Sequence, residues 1–190
     1  MKNVVLFGGG NIAQAIIKGL INSGYKKNNI FYIDRSNKNQ KILSKLRIKN
    51  LKNHKSVKVD LFILAVKPKD AITAYREILK KYKNPKIVSC VAGIKSKKYL
   101  KINKSIQFLR AMPNTSSEFN LGITALFNSS FKKHNLSKVV SLFKRIGITI
   151  SLEEESKIDT FTGMIGSGPA YFFYLLKSYE KKLMDLCNKD

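Results

Sequence analysis

The chain has 190 residues, enough for one full domain and part of a second, and its 44% hydrophobic content excludes a disordered chain. Two cysteines, Cys90 and Cys187, exclude a disulfide framework and a cysteine metal cluster, which fits a reducing cytoplasm. The net charge of +24 raises nucleic acid or an anionic membrane as partners, but 31 of the 36 basic residues are lysines scattered through every segment without aromatic platforms between them.

That scatter, with abundant Asn and Ile, reads as the drift of an AT-rich genome rather than as a specific nucleic-acid surface. A polyanion-binding module is the reading that charge alone supports. The charge also changes along the chain. Residues 1–152 carry 31 basic and 5 acidic side chains, whereas residues 153–190 carry 5 and 7. A domain boundary is expected there. No stretch is apolar over the length a bilayer requires, and the short N-terminal apolar run is not a signal peptide, so no membrane is expected.

Val4–Phe7 is a short apolar run of the kind that becomes a buried parallel strand. Gly8-Gly9-Gly10 interrupts it, and from Asn11 the apolar period turns helical through Ile12, Ile16 and Leu20 until Ser23-Gly24. Strand, glycine turn and helix give Gly8-x-Gly10-x-x-Ala13 the context of a dinucleotide fingerprint. Gly8 permits the turn, Gly10 lets the backbone approach a pyrophosphate, and Ala13 keeps helix and strand close. A glycine turn that binds nothing is the bland alternative.

Ile30–Ile33 reads as the next strand, ending at Asp34-Arg35-Ser36, with Ser36 capping a helix that carries Ile42, Leu43 and Leu46. Leu61–Val66 is a continuous apolar strand stopped by Lys67-Pro68, and a helix with Ile72, Tyr75, Leu79 and Tyr82 follows. Ile87–Val91 is a strand closed by Ala92-Gly93. Ile106–Leu109 leads into Arg110-Ala-Met-Pro-Asn-Thr115, and Ile123–Phe127, a helix through Leu136, Val139, Val140 and Phe143, and strand Ile148–Leu152 complete the pattern. Alternating strands and amphipathic helices predict an α/β, doubly wound, largely parallel sheet with its ligand at the carboxyl ends of the strands.

From Glu153 the chain becomes helical to Asp190, with an expected interruption at Gly166-Ser-Gly-Pro169. The three glutamates suit a helix N-terminus. Beyond the interruption Phe172, Phe173, Leu175, Leu176, Leu183 and Met184 cover more than one face. Burying five such side chains is worth about 8–15 kcal/mol, so this helix needs a partner.

Five separated blocks together resemble the pyrroline-5-carboxylate reductases. They are Phe7-Gly-Gly-Gly-Asn-Ile-Ala13, Ala65-Val-Lys-Pro68, Val88-Ser-Cys-Val-Ala-Gly93, Arg110 to Thr115, and Asp159 to Gly166-Ser-Gly-Pro-Ala-Tyr171. The resemblance implies a Rossmann-type NAD(P)-binding domain over residues 1–152, followed by the start of an all-helical dimerisation domain over 153–190. It implies hydride transfer from NAD(P)H to the C=N carbon of 1-pyrroline-5-carboxylate, giving L-proline. It also implies a homodimer or higher oligomer formed through residues 156–187.

By position, Gly8, Gly9, Gly10, Asn11 and Ile12 would hold the pyrophosphate, and Arg35 and Ser36 the adenosine ribose or its 2′-phosphate. Ala65, Val66, Lys67, Pro68, Cys90, Ala92 and Gly93 would line the cofactor. Lys67, Asn114 and Thr115 are the candidates for the catalytic centre. Each has a plainer reading: Lys67 as a strand terminator in solvent, Asn114 as a turn former, Cys90 as packing. Asp34 suits a ribose 2′-hydroxyl and hence NAD(H), whereas Arg35 and Ser36 suit the extra phosphate of NADP(H), toward which the reading is drawn. His54 and His134 lie in polar stretches away from the motifs. Ser116 and Val91 depart from the family pattern in small ways. Its Ser-Pro-Gly-Gly-Thr-type loop for the substrate carboxylate has no counterpart in these residues, so a C-terminally shortened, NADP(H)-binding remnant without catalysis is the alternative.

Overall fold

The computed structural model describes residues 1–54 and 56–187. The strands are β1 (Val4–Phe7), β2 (Ile30–Ile33), β3 (Lys49–Asn50), β4 (Leu61–Leu64), β5 (Lys86–Ser89), β6 (Gln107–Met112), β7 (Gly122–Asn128) and β8 (Gly147–Ser151), most of them short apolar runs and β3 a polar pair. They join one sheet in the order β3-β2-β1-β4-β5-β6-β7-β8. All neighbours are parallel except β6 and β7. The strand order reverses direction between β1 and β4, and a crevice opens there at the carboxyl edge, where such sheets bind ligands.

The pleat sends alternate side chains to opposite faces, and each face has its own core. Val4 and Leu6 pack with Ile16, Ile17 and Leu20 of α1 (Asn11–Asn22), Leu43 of α2 (Asn37–Lys45), and Val139 and Phe143 further on. Val5 and Phe7 pack with Ala71, Tyr75 and Ile78 of α3 (Ala71–Lys81) and Tyr99 of α4 (Ser96–Leu100). Val139 and Phe143 belong to α5 (Lys133–Lys144). Helices on both faces make the doubly wound fold that the alternation predicts.

Several boundaries differ from the sequence reading. β4 stops at Leu64, not Val66; Ala65 N–H gives the last bond to β1, to Phe7 O at 2.8 Å, where the chain leaves the sheet beside the glycine loop. β6 runs on through Arg110 to Met112, since antiparallel β7 supplies a partner for residues that read as loop. The buried face of α3 is Ala71, Ala74, Tyr75 and Ile78; Ile72 and Leu79 sit at its margin, and Tyr82 lies past its end.

The helical region also departs from expectation. Lys157–Phe161 forms α6, Thr162–Ser167 follows as a π-helix, and Gly168–Cys187 forms α7, so the backbone stays helical through Gly166-Ser-Gly-Pro169. Gly168 donates its N–H to Gly163 O, the i→i+5 bond of a π-turn. The wider turn spares Pro169 the close contact with a preceding carbonyl that breaks an α-helix. Ile158 of α6 is buried with Met112 and Ala125 of the sheet. By contrast every described side chain of α7 is exposed, Phe172 and Leu176 by 72% and 62%. Residues 188–190 of the expected helical region lie outside the described residues.

Glu155 turns away from the helix that follows it and serves the N-terminus of α4 and the sheet instead. Its Oε1 accepts from Arg110 Nη1 at 3.0 Å, from Ser96 N at 2.6 Å and from Ser96 Oγ at 2.9 Å. Arg110 is 1% exposed, and its Nε and Nη2 have no partner among the described residues. A buried guanidinium with one acceptor leaves the helical region tied to the sheet by a contact that cannot be lost cheaply.

Candidate functional site

The crevice between β1 and β4 holds a cavity of about 300 Å³. It is lined by Gly8, Gly9, Gly10, Arg35, Ser36, Ala65, Val66 and Lys67 of the expected residues. Phe7, Ile33 and Ala74 add apolar surface to its wall, and Asp34, Asn39, Lys52, Asp70 and Glu77 add polar groups.

The three glycines play different parts. Gly8 has φ +108°, and a Cβ there would lie 2.4 Å from Ala65 O, so the fold itself demands glycine. Gly10 has φ −71° and opens onto empty space; a Cβ there meets nothing within 4 Å. The fold has no use for a glycine at position 10. What it provides is bare backbone at the N-terminus of α1, with no side-chain cap and no acidic residue in the first turn. The first N–H groups of a helix have no intrahelical acceptors and carry the positive end of its dipole. Gly10, Asn11 and Ile12 therefore present a site for an anion, and this is the geometry in which a dinucleotide pyrophosphate is held.

Asp34 closes the loop from inside. Its Oδ2 accepts from Gly9 N at 2.5 Å and from Asn39 Nδ2 at 3.2 Å, and its Oδ1 accepts from Ser36 N at 2.5 Å. Three of about four acceptor positions are thus spent on the protein, and little of this carboxylate is left for a ribose. The Ser36 hydroxyl caps α2 by accepting from Asn39 N, as its position before the helix predicts. Arg35 extends across the cavity and pairs with Glu77 of α3.

The remaining expected residues are not gathered in this cavity. Asn11, Ile12, Pro68, Cys90, Ala92, Gly93, Asn114 and Thr115 are absent from its lining. Cys90, Ala92 and Gly93 follow β5, and Asn114 and Thr115 follow β6, so they continue the same carboxyl edge at roughly 5 Å per strand beyond β4. Asn114 Oδ1 accepts from Ile123 N at 3.0 Å, a turn-fixing bond, while its Nδ2 makes no hydrogen bond among the described residues. Thr115 is exposed at the start of a 3₁₀ turn. Lys67 is exposed at the mouth of the cavity, where its ammonium has no ion-pair partner among the described residues. Burial pushes the Cys90 thiol up to about 12, so it stays neutral and unreactive. His54 and His134 lie outside the lining.

Residues 3–93 match a family model described as NADP oxidoreductase coenzyme F420-dependent. The pyrroline-5-carboxylate reductase of Haemophilus influenzae is 28% identical over 97% of this chain and 70% of its own length. Pyrroline-5-carboxylate reductase 1 of Bacillus subtilis is 32% identical over 95% of this chain and 63% of its own. The solved structure of the Coxiella burnetii pyrroline-5-carboxylate reductase superposes with a TM-score of 0.83 at 28% identity, covering 97% of this chain and 71% of that one. Over nearly its whole length the chain is similar to pyrroline-5-carboxylate reductases. It spans 63% and 70% of the length of the Bacillus and Haemophilus reductases. The Plasmodium falciparum pyrroline carboxylate reductase, solved with NADP bound, shares the fold at a TM-score of 0.79 and 21% identity.

Four polar residues of the cavity wall escaped the sequence reading: Asn39, Lys52, Asp70 and Glu77. A signal for two of them exists in hindsight. Asp34, Asp70 and Glu77 are three of only five acidic residues in residues 1–152, and all three converge on this cavity. In a chain so depleted of carboxylates, an acidic residue is itself worth marking.

Proposed function

We propose that the protein binds NADP(H) at the β1–β4 crevice and reduces 1-pyrroline-5-carboxylate to L-proline, as the names of its relatives suggest. The observation that carries the reading is the open backbone at Gly10, a glycine the fold does not require, set at the uncapped N-terminus of α1. When bound, the nicotinamide supplies a hydride to the C=N carbon, and water supplies the proton to the ring nitrogen. The chain's own part is placement. Gly10, Asn11 and Ile12 hold the diphosphate by backbone N–H groups. Arg35, with Lys52 nearby in the wall, attracts the 2′-phosphate. Lys67 offers an unpaired cation at the mouth for a carboxylate or phosphate, and Asn114 Nδ2 and Thr115 offer hydrogen bonds further along the edge.

NADP(H) is favoured over NAD(H) because Asp34 is occupied by Gly9, Ser36 and Asn39. Arg35→Ala should weaken NADPH binding about tenfold and leave NADH within about twofold, as expected for loss of one charge-assisted contact. Titration by nicotinamide fluorescence reads both constants, and an unchanged ratio removes Arg35 from the argument. Turnover is tested by oxidation of NADPH in the presence of 1-pyrroline-5-carboxylate. Tight cofactor binding without turnover selects the cofactor-binding remnant instead.

We divide the chain at residue 152 into a cofactor-binding part and a dimerisation part. Supporting this, α7 exposes Phe172, Phe173, Leu176, Leu183 and Met184 to water in the single chain, more apolar surface than a lone helix sustains. A second copy is the expected occupant. Sedimentation should give twice the monomer mass, and Leu176→Arg with Leu183→Arg should return it to the monomer. A wild-type monomer at tens of micromolar (about 50 µM) sinks the dimer assignment. Among the described residues no helix is long and apolar enough to cross a membrane, and the two cysteines are free, which supports a cytoplasmic setting.

A further inference from the structure

Arg35, from the end of β2, and Glu77, from α3, both line the cavity, and their ion pair joins the two elements across it. Asp70, Ala74 and Glu77 fall at intervals of four and three, which puts them on one stripe of α3 and its approach, and all three meet the cavity. The Arg35 side chain is 68% exposed and that of Glu77 34%. A pair so open to water is held weakly and exchanges readily.

From this we infer that Glu77 is a specificity-determining residue: its carboxylate holds the Arg35 guanidinium where a ligand phosphate would otherwise engage it, and so limits the preference for a 2′-phosphorylated nucleotide. The inference rests on the cofactor site proposed above. Its chemistry is an exchange of one anion for another on the same fork. A carboxylate and a phosphate both accept two parallel N–H bonds from a guanidinium. Glu77 holds Arg35 through Nη2, so a 2′-phosphate that takes the terminal pair of nitrogens displaces the carboxylate, which remains in the wall. A nucleotide without that phosphate leaves the pair undisturbed.

The test uses adenosine fragments, so that it reads only this end of the site. Dissociation constants for 2′,5′-ADP and for 5′-AMP are measured by calorimetry on the wild type, Glu77→Gln, Arg35→Ala and the double variant. Glu77→Gln should tighten 2′,5′-ADP about two- to fivefold and leave 5′-AMP within about 1.3-fold. In the Arg35→Ala background the same substitution should change neither constant. Equal tightening of both nucleotides, or no tightening, overturns the inference while leaving the cofactor site standing. An effect that persists without Arg35 also overturns it, because Glu77 then acts directly on the phosphate and not through the arginine. If the wild type binds neither fragment nor NADPH at millimolar concentration, the cofactor site and this inference fall together.

Discussion

Replacing Glu155 by alanine should unfold the protein at a markedly lower temperature, by roughly 10 °C or more, corresponding to a loss of about 3–5 kcal/mol. The reason is the partner left behind. Arg110 stands in the middle of β6, 1% exposed, with Nη1 on Glu155 Oε1 and no other acceptor for Nε or Nη2 among the described residues. Without Glu155 a guanidinium is buried with nothing to balance it, and Ser96 N–H loses its acceptor, while its hydroxyl keeps only Ser129 Oγ. The double variant Arg110→Met with Glu155→Gln removes the buried charge and keeps an oxygen for Ser96, so it should recover at least half of the lost stability. Circular dichroism through the melt measures all three. If Glu155→Ala melts within about 2 °C of the wild type, the ion pair is not what fastens the helical region to the sheet.

The second large effect is on binding. Gly10→Val should raise the dissociation constant for NADPH at least about a hundredfold while the melting temperature moves by no more than a few degrees, because the branched side chain enters space the fold leaves empty but a diphosphate needs. Gly8→Ala makes the contrast. At φ +108° with a Cβ 2.4 Å from Ala65 O, even one methyl group strains the β1–β4 junction, and this variant should lose stability as well as binding. A Gly10→Val protein that binds NADPH normally would move the cofactor site elsewhere.

Much of the fold could be read because most of its buried parallel strands are short apolar runs. Leu61–Leu64 and Val4–Phe7 are of this kind. β3 could not be read, since Lys49 and Asn50 form a polar two-residue edge with neither apolar content nor length. Arg110–Met112 looked like a loop because its pairing with Ala125–Phe127 is made by residues far along the chain. The glycine loop of the site was legible, its chemistry being local backbone geometry. Glu77 was not, because nothing in a helix's own sequence says which carboxylate faces a cavity. Glu155 was misread for a similar reason: its partner lies 45 residues away, and its neighbours suggested a simpler local role.

The π-turn at Thr162–Ser167 has an effect on the rest of the arm. Widening one turn shifts the angular phase of every later side chain relative to those before it. The apolar residues of α7 are therefore out of phase with the stripe that grips the sheet through Ile158, and they stand exposed. Removing a single residue from that turn would rotate the whole distal rod about its own axis, and whatever surface it was aimed at would be met by a different set of side chains.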